Sequence, residues 1–573
     1  MKGFQKAFYL SVILLVLTIG VSGQTIEDDY PVVQLMNEYS ADLGSVNRFY
    51  HIDGSPERNK RLEKLSNSYL LRLESIDFKK LSISEQVDYI LTRNKIHRHL
   101  KNYEQEAANY TKIEKWISFA DTIYAIEKKR RRGTRFDAKM LAEQLDVLQK
   151  EVVQCTKKLA NSGQLFTSPE IRFSKLVING QLEALNSVYS FYAGYDPNFS
   201  WWVKKPYEKI EAKLHDLIGQ FEASIDSARK PEDDGSGIIG HPIGRKALIE
   251  QLESEFIPYT PEELVKIAEK EFAWCDAEML KVSKEMGFGK DWKKALEKVK
   301  NTYVEEGTQP ETMLQLYNES VTFLKQKDLI TIPPIAEETW RMTMISPERQ
   351  RFSPFFLGGE VLQIAYPTDA MDHDQKMMSM RGNNPHFSRA VIHHELIAGH
   401  HLQQFMNHRY QTHRNYHTPF WTEGWALYWE LTLWEQGFPQ SPEDKVGMLF
   451  WRMHRCARIM FSLNYHMGEW TPQQCIDYLV ERVGHERANA ESEVRRSFEG
   501  QYGPLYQIAY MTGGMQFYQL QKELVDSGKM TYKEFHDAVM RQNNMPVELL
   551  RAILTEGDLN PNYKSVWRFY DYK

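Results

Sequence analysis

The chain has 573 residues, of which 42% are hydrophobic and 26% charged, an ordinary globular composition with ample material for a core. Its formal net charge of -6 is small for that length and offers no electrostatic argument for nucleic acid or an anionic membrane surface as a partner. Among the four cysteines, Cys155, Cys275, Cys456 and Cys475, there is no CxxC, which disfavours a cysteine zinc site or a dithiol redox centre; oxidation after export leaves three full pairings open.

The chain begins MKGFQKAFYLSVILLVLTIGVSG. Lys2 and Lys6 precede an apolar run over residues 7–21, and Ser22 and Gly23 supply small residues before Gln24. This is the pattern of a secretory signal peptide over residues 1–23, cleaved near Gly23. The run is short of the roughly 20 residues of a transmembrane helix, so no stable membrane span is expected after cleavage. An exported, periplasmic or secreted protein is the expectation.

Residues 24–325 read as a helical region. Segments such as LEKLSNSYLLRLESI and DAKMLAEQLDVLQKEVVQCTKKLA carry apolar residues at three- and four-residue intervals. The basic run at residues 128–132 reads as a solvated helix end. KPEDDGSGIIGHPIG, residues 230–244, reads as a loop, either a solvated linker or a segment beside a cleft.

The pattern changes after residue 326. DLITIPP, TWRMTMIS and GGEVLQIAYPT are short β-leaning runs bounded by Pro and Gly, which predict a small antiparallel sheet of three or so strands. Helical periodicity then returns. Asn384 fits an N-cap and Pro385 a first helical position, opening the helix that carries HHELIAGHHLQ, residues 393–403. A second helix starts at Thr418-Pro419, runs through FWTEGWALYWELTLWEQ and stops at Gly437. Small sheet, histidine helix and glutamate helix in this order predict a mainly α, zincin-like catalytic region over residues 326–573.

His394 and Glu395 form the HE pair of a zinc-hydrolase signature, but Ala398 stands where HExxH has its second histidine. On a regular helix His394 and His400 point roughly 120° apart, and His394 and His401 lie about 10 Å apart along the axis. Neither pair converges on one ion, so the helix must bulge or restart. Gly399 permits the break and puts it immediately before His400. Glu423 and Glu430 share one face of the second helix amid Phe420, Trp421, Trp425, Tyr428 and Trp429. Carboxylates buried in that surface need partners. A Zn2+ ion and its histidines are such partners, making Glu423 a third ligand and Glu430 a residue that orients a ligand.

Four blocks in order resemble the domain-of-unknown-function 885 family, regarded as zincin-type metallopeptidases: HELIAGHHLQ, FWTEGWALYWELTLWEQG, RIMFSLNYHMGEWTPQQCIDYL, and ESEVRR followed by YGPLYQIAYMTGG. They cover about residues 390–515. The resemblance implies His394, His400 and Glu423 as metal ligands and Glu395 as general base. It also aligns His466 and Tyr510 with a family histidine and tyrosine, either of which donates a hydrogen bond to a developing oxyanion. Arg458 and Arg496 are candidates for substrate-carboxylate binding or for structural ion pairs. The sequence departs from the family pattern at Ala398, Ser462, Asn464, Ser497, Leu505 and Tyr506, so specificity is not carried over.

The resulting expectation is an exported zinc metallohydrolase with a zincin-like fold and a helical cleft, cleaving short peptides. Hydrolysis of a non-peptide amide or ester, or a catalytically inactive binding protein on the same fold, are the alternatives.

Overall fold

A computed structural model describes residues 30–571 apart from 227–232, 351, 415 and 501. The expected signal peptide lies outside the described residues. As the periodicity predicts, residues 30–325 are almost wholly helical: α1 Pro31–Phe49, α2 Pro56–Glu74, α3 Ile83–Ile113, α4 Ala120–Arg131, α5 Ala138–Asn161, α6 Ser168–Tyr192, α7 Pro197–Ala223, α8 Arg245–Ser254, α9 Pro261–Glu285, α10 Trp292–Lys300 and α11 Gln309–Gln326.

The buried apolar residues fall into two clusters. One runs through α4 to α7 and takes in Leu145, Val152, Val177, Leu214 and Phe221. The other joins α1 to α3 and α8 to α11 to the C-terminal half, through residues such as Leu35, Ile90, Phe272 and Trp425. Helices α4 to α7 therefore form a lobe with its own core.

The expected antiparallel sheet is replaced by a two-stranded parallel one. β1 Arg341–Met344 pairs with β2 Val361–Ile364, in register from Arg341 with Val361 to Met344 with Ile364. The connecting segment, residues 345–360, is long enough for the crossover that a parallel pair needs. Among the described residues its one antiparallel element is a bridge from Leu357 to Gln363 of β2. The third predicted strand, residues 328–334, does not form. Asp328 is left-handed, the Thr331 amide and hydroxyl donate to the Asp537 carboxylate, and Pro334 opens a short helix instead of offering a ladder donor.

Three helices then build the interior of the C-terminal half. α12 Pro385–Glu395 starts at Asn384, whose side-chain oxygen accepts the Phe387 amide at 3.0 Å. α13 Pro419–Glu435 starts at Thr418, whose hydroxyl accepts the Phe420 amide at 3.2 Å, and is followed by left-handed Gly437. α14 Pro442–Met467 starts at Ser441, which accepts the Asp444 amide at 3.1 Å. In each case a proline occupies the first turn.

Trp421, Trp425, Tyr428 and Trp429 of α13 are all fully buried. Burial of each indole contributes about 4–6 kcal/mol before conformational entropy is charged against it. α13 is pressed against α15 Tyr506–Gln521 at a pair of glycines. A Cβ on Gly513 would lie 2.1 Å from the Phe420 carbonyl oxygen, and one on Gly424 would lie 2.7 Å from the Gly513 backbone. This close approach sets Glu423 beside the first two turns of α15.

Candidate metal centre

The histidine stretch is two helices, not one. α12 ends at Glu395 and a further helix runs His400–Asn407. Between them Ile397–Ala398 is a cis peptide, and Gly399 folds back so that its amide reaches the His393 carbonyl at 2.8 Å. A Cβ on Gly399 would sit 1.9 Å from the His394 carbonyl oxygen, so no side chain fits there. The indole of Trp425 donates to the Ala398 carbonyl at 2.9 Å, tying the break to the glutamate helix. The break at Gly399 is therefore where the residues predict it.

The restart turns His400 back toward His394. Their rings lie 4.8 Å apart, nearly perpendicular. Nε2 of His394 is 3.5 Å, and Nε2 of His400 3.2 Å, from Oε2 of Glu423. Potential ligand atoms of the three side chains lie within 4.8 Å of one another. Glu423 is 5% exposed, and its Oε2 is buried without a hydrogen-bond partner. Two imidazole nitrogens and an otherwise unpartnered carboxylate oxygen, facing one point, fit a divalent cation such as zinc.

Further contacts orient these groups. Nδ1 of His394 is 2.7 Å from Oε1 of Glu430, and the same carboxylate oxygen accepts from Arg455 at 2.8 Å. The Tyr506 hydroxyl donates to Oε1 of Glu423. Burial opposes charge on His394, but the Glu423 and Glu430 carboxylates overcome it and hold the imidazole up at about 9. Burial likewise opposes charge on Glu430, yet Arg455 and His394 bring it down to about 2. Glu423, also against its burial, is held well below the usual carboxylate range by His400 and His394. The pocket thus stabilises a positive charge on the His394 imidazole, the role a metal would take over in a loaded site.

Glu395 is the last residue of α12, half-buried, and its carboxylate makes no hydrogen bond or ion pair among the described residues. Its carbonyl accepts the Gly359 amide at 3.0 Å, and a Cβ on Gly358 would lie 2.1 Å from that oxygen. The Gly358-Gly359 turn before β2 thereby clamps the backbone beside His394. His401 points elsewhere: its Nε2 meets the Ala336 carbonyl at 2.7 Å.

Tyr510 stands next to the histidines. Its ring is 6.0 Å from that of His394 and nearly parallel to it, with the Arg458 guanidinium 4.2 Å from its centroid. Burial, then Glu423, raises its pKa, so the hydroxyl keeps its proton. His466, near the end of α14, packs against Tyr465 and Phe498 with its Nδ1 buried and unpartnered, and burial lowers it to about 4. Arg458 and Arg496, on α14 and on a helix spanning Arg487–Phe498, both face Glu493, at 2.6 and 3.7 Å. This is the ion-pair arrangement, but two arginines share one carboxylate, and Nη1 of Arg458 and Nε of Arg496 are buried without a partner.

From Ile238 onward the loop before α8 packs on the protein instead of running as a solvated linker. Ile238 is buried, the Gly244 amide reaches the His466 carbonyl, and a Cβ on Gly240 would collide with Tyr465 and Phe498. Sequence reasoning missed Arg455, Tyr506 and the Gly358-Gly359 clamp. Only the adjacent glycines carried a local signal, since the contacts of the other two reach across the fold.

A search of curated proteins finds no match. Among solved structures, a chain from Shewanella oneidensis matches with TM-score 0.65 and 16% identity, covering 91% of this chain and 99% of its own. A second, from Colwellia psychrerythraea, matches with TM-score 0.54 and 18% identity, covering 92% and 97%. Both are described as putative lipoproteins, the first as of unknown function. At these identities the likeness establishes the shared fold alone. Residues 43–554 match the family described as "Bacterial protein of unknown function (DUF885)", and the chain belongs to that family.

Proposed function

We propose that this protein is a zinc-dependent hydrolase of short peptides with a zincin-like catalytic region, working outside the cytoplasm. The observation that carries the reading is the convergence of His394, His400 and Glu423, with Oε2 of Glu423 buried and otherwise unpartnered. When bound there, zinc supplies Lewis acidity that polarises a substrate carbonyl and acidifies water. Glu395, adjacent in sequence to His394 and free of other partners, takes the proton from the attacking water. Tyr510, protonated and beside His394, donates a hydrogen bond to the oxyanion. Glu430 and Arg455 hold the His394 ring in place. Arg458 and Arg496, with a surplus positive charge over Glu493, favour a substrate that brings its own carboxylate. Export is supported by the N-terminal sequence pattern and by the lipoprotein description of both structural neighbours.

The test is digestion of a peptide library by zinc-loaded protein, read by mass spectrometry, with Glu395→Gln alongside. The variant should keep its metal and fold while turnover falls about 10²–10⁴-fold, roughly 3–5 kcal/mol of transition-state stabilisation. Peptides with amidated C-termini should be cleaved more slowly than free ones. No cleavage by loaded wild-type protein, or undiminished cleavage by loaded Glu395→Gln, overturns the mechanism.

A further inference from the structure

One end of the α4 to α7 lobe carries an exposed aromatic cluster that the core does not explain. Phe191 is 49%, Tyr195 87%, Trp201 81% and Trp202 43% exposed. They occupy the last turn of α6, the connection to α7 and the first turns of α7. The connection between α4 and α5 meets them there. The Tyr192 hydroxyl donates to the Thr134 carbonyl at 2.8 Å, and Phe136 packs edge-on against Tyr192 at 5.8 Å.

The charged side chains around these rings are mostly of one sign. Arg130 lies 5.7 Å from the Phe191 ring centroid and Lys139 lies 5.8 Å from that of Trp202. Lys204 and Lys205 follow Trp202 on α7, and Lys129 and Arg135 stand on the last turn of α4 and the connection to α5; among the described residues none of these four, nor Lys139, has a carboxylate ion-pair partner, while Arg132 lies over Phe49. The nearby acids are engaged or set back. Glu127 is buried with Arg130 and Arg131, and Glu57 holds Lys128. Asp137 and Asp196 cap α5 and α7, while Glu143 and Glu208 lie further along those helices. The net charge of -6 averages over the whole chain and conceals this basic end.

We propose that this end of the lobe docks on the surface of an anionic lipid bilayer. Indole and phenol rings settle at the headgroup level, apolar face inward and polar edge in water. Lysines and arginines around them gain attraction from anionic headgroups, and an exposed cluster of large aromatics is otherwise a liability in water. Charge complementarity selects the occupant: amphipathic rings in a basic collar with few free carboxylates fit a continuous anionic surface. No described helix is long and apolar enough to cross a membrane, so the contact is peripheral. It is independent of the metal centre.

The test uses full-length protein with a single polarity-sensitive dye on Tyr195→Cys, the four native cysteines all being buried. Leu71→Cys, also exposed but about 20 Å further along α2 than Glu57, is the control position. On phosphatidylglycerol-containing vesicles the dye at 195 should brighten severalfold and shift to the blue, while phosphatidylcholine vesicles leave it unchanged. Lys204→Glu combined with Lys205→Glu should lower partitioning into the anionic vesicles at least about tenfold. Because residues 1–29 are the same in every variant, their own affinity for lipid cancels in these comparisons. A dye at 195 that stays in water on anionic vesicles, or that responds no more than the one at 71, overturns the proposal. So does undiminished partitioning of the lysine variant.

Discussion

Helices α13 and α7 are both amply aromatic, yet a polar side chain means something different on each. On α13 the residues from Glu423 to Leu433 are buried without exception, and both carboxylates within that stretch meet His394. On α7 one stripe is buried, through Val203, Ile210, Leu214 and Phe221, while Lys204, Glu208 and Glu222 face water. A carboxylate on α7 has solvent for a partner and can be exchanged at little cost. A carboxylate between Glu423 and Leu433 of α13 has none, so each needs a specific cation or donor. Where a helix is apolar all round, its few polar residues are the ones to interrogate for chemistry.

The sharpest break of this comparison is at the ligands. His400→Ala should abolish zinc binding, because the remaining His394 and Glu423 leave too few protein ligands for a tight site. His401→Ala should leave near-stoichiometric metal, since that ring is committed to the Ala336 carbonyl. Elemental analysis of both purified variants after zinc loading decides it. Zinc loss on His401→Ala alone, in protein that remains folded, would reverse the assignment.

Much of this site was legible in the sequence because its determinants are local. The cap-proline starts at residues 384 and 418, the stop at Gly437 and the break at Gly399 all rest on single-residue backbone preferences. The seven-residue spacing of Glu423 and Glu430 put both on one face, and both reach His394. What was not legible depends on the path of the chain. The direction of β1 against β2 is decided by how residues 345–360 return, not by alternation within either strand. The failure of residues 328–334 as a strand turns on Asp537, far away in sequence. Arg455 with Glu430 and Tyr506 with Glu423 are likewise pairings that only the packing of α13, α14 and α15 brings about.

Next in size is the buried charge cluster behind Tyr510. Glu493 is fully buried, faces Arg458 and Arg496, and is drawn down to about 2 by them against the effect of burial. Glu493→Gln strands two guanidinium groups away from water and should cost about 3–5 kcal/mol in urea unfolding at neutral pH. Because the folded carboxyl is depressed below its unfolded value, its contribution is fully present above about pH 4.5 and is lost as pH falls toward 2. The stability gap between wild type and variant should therefore narrow between pH 5 and pH 3. A gap that stays constant over that window would mean that the charge of Glu493 is not what the fold depends on.

The smallest expected effect is also the fairest control, because it repeats the same chemistry on the lobe. Lys175 of α6 and Glu222 of α7 approach to 2.5 Å, as close as any buried pair around Glu493. Their side chains, however, are 42% and 50% exposed, and water competes for both charges. Attraction in that environment is offset by the entropy lost in holding two long side chains together, so exposed pairs contribute roughly 0–1 kcal/mol. Lys175→Ala should accordingly shift unfolding by no more than about 1 kcal/mol, and added salt should shrink even that. Urea titrations at low and high ionic strength measure both quantities. If this exposed pair proved as costly to break as Glu493, distance rather than burial would govern the strength of ion pairs in this protein. The contrast between its interior helices and its lobe would then fail.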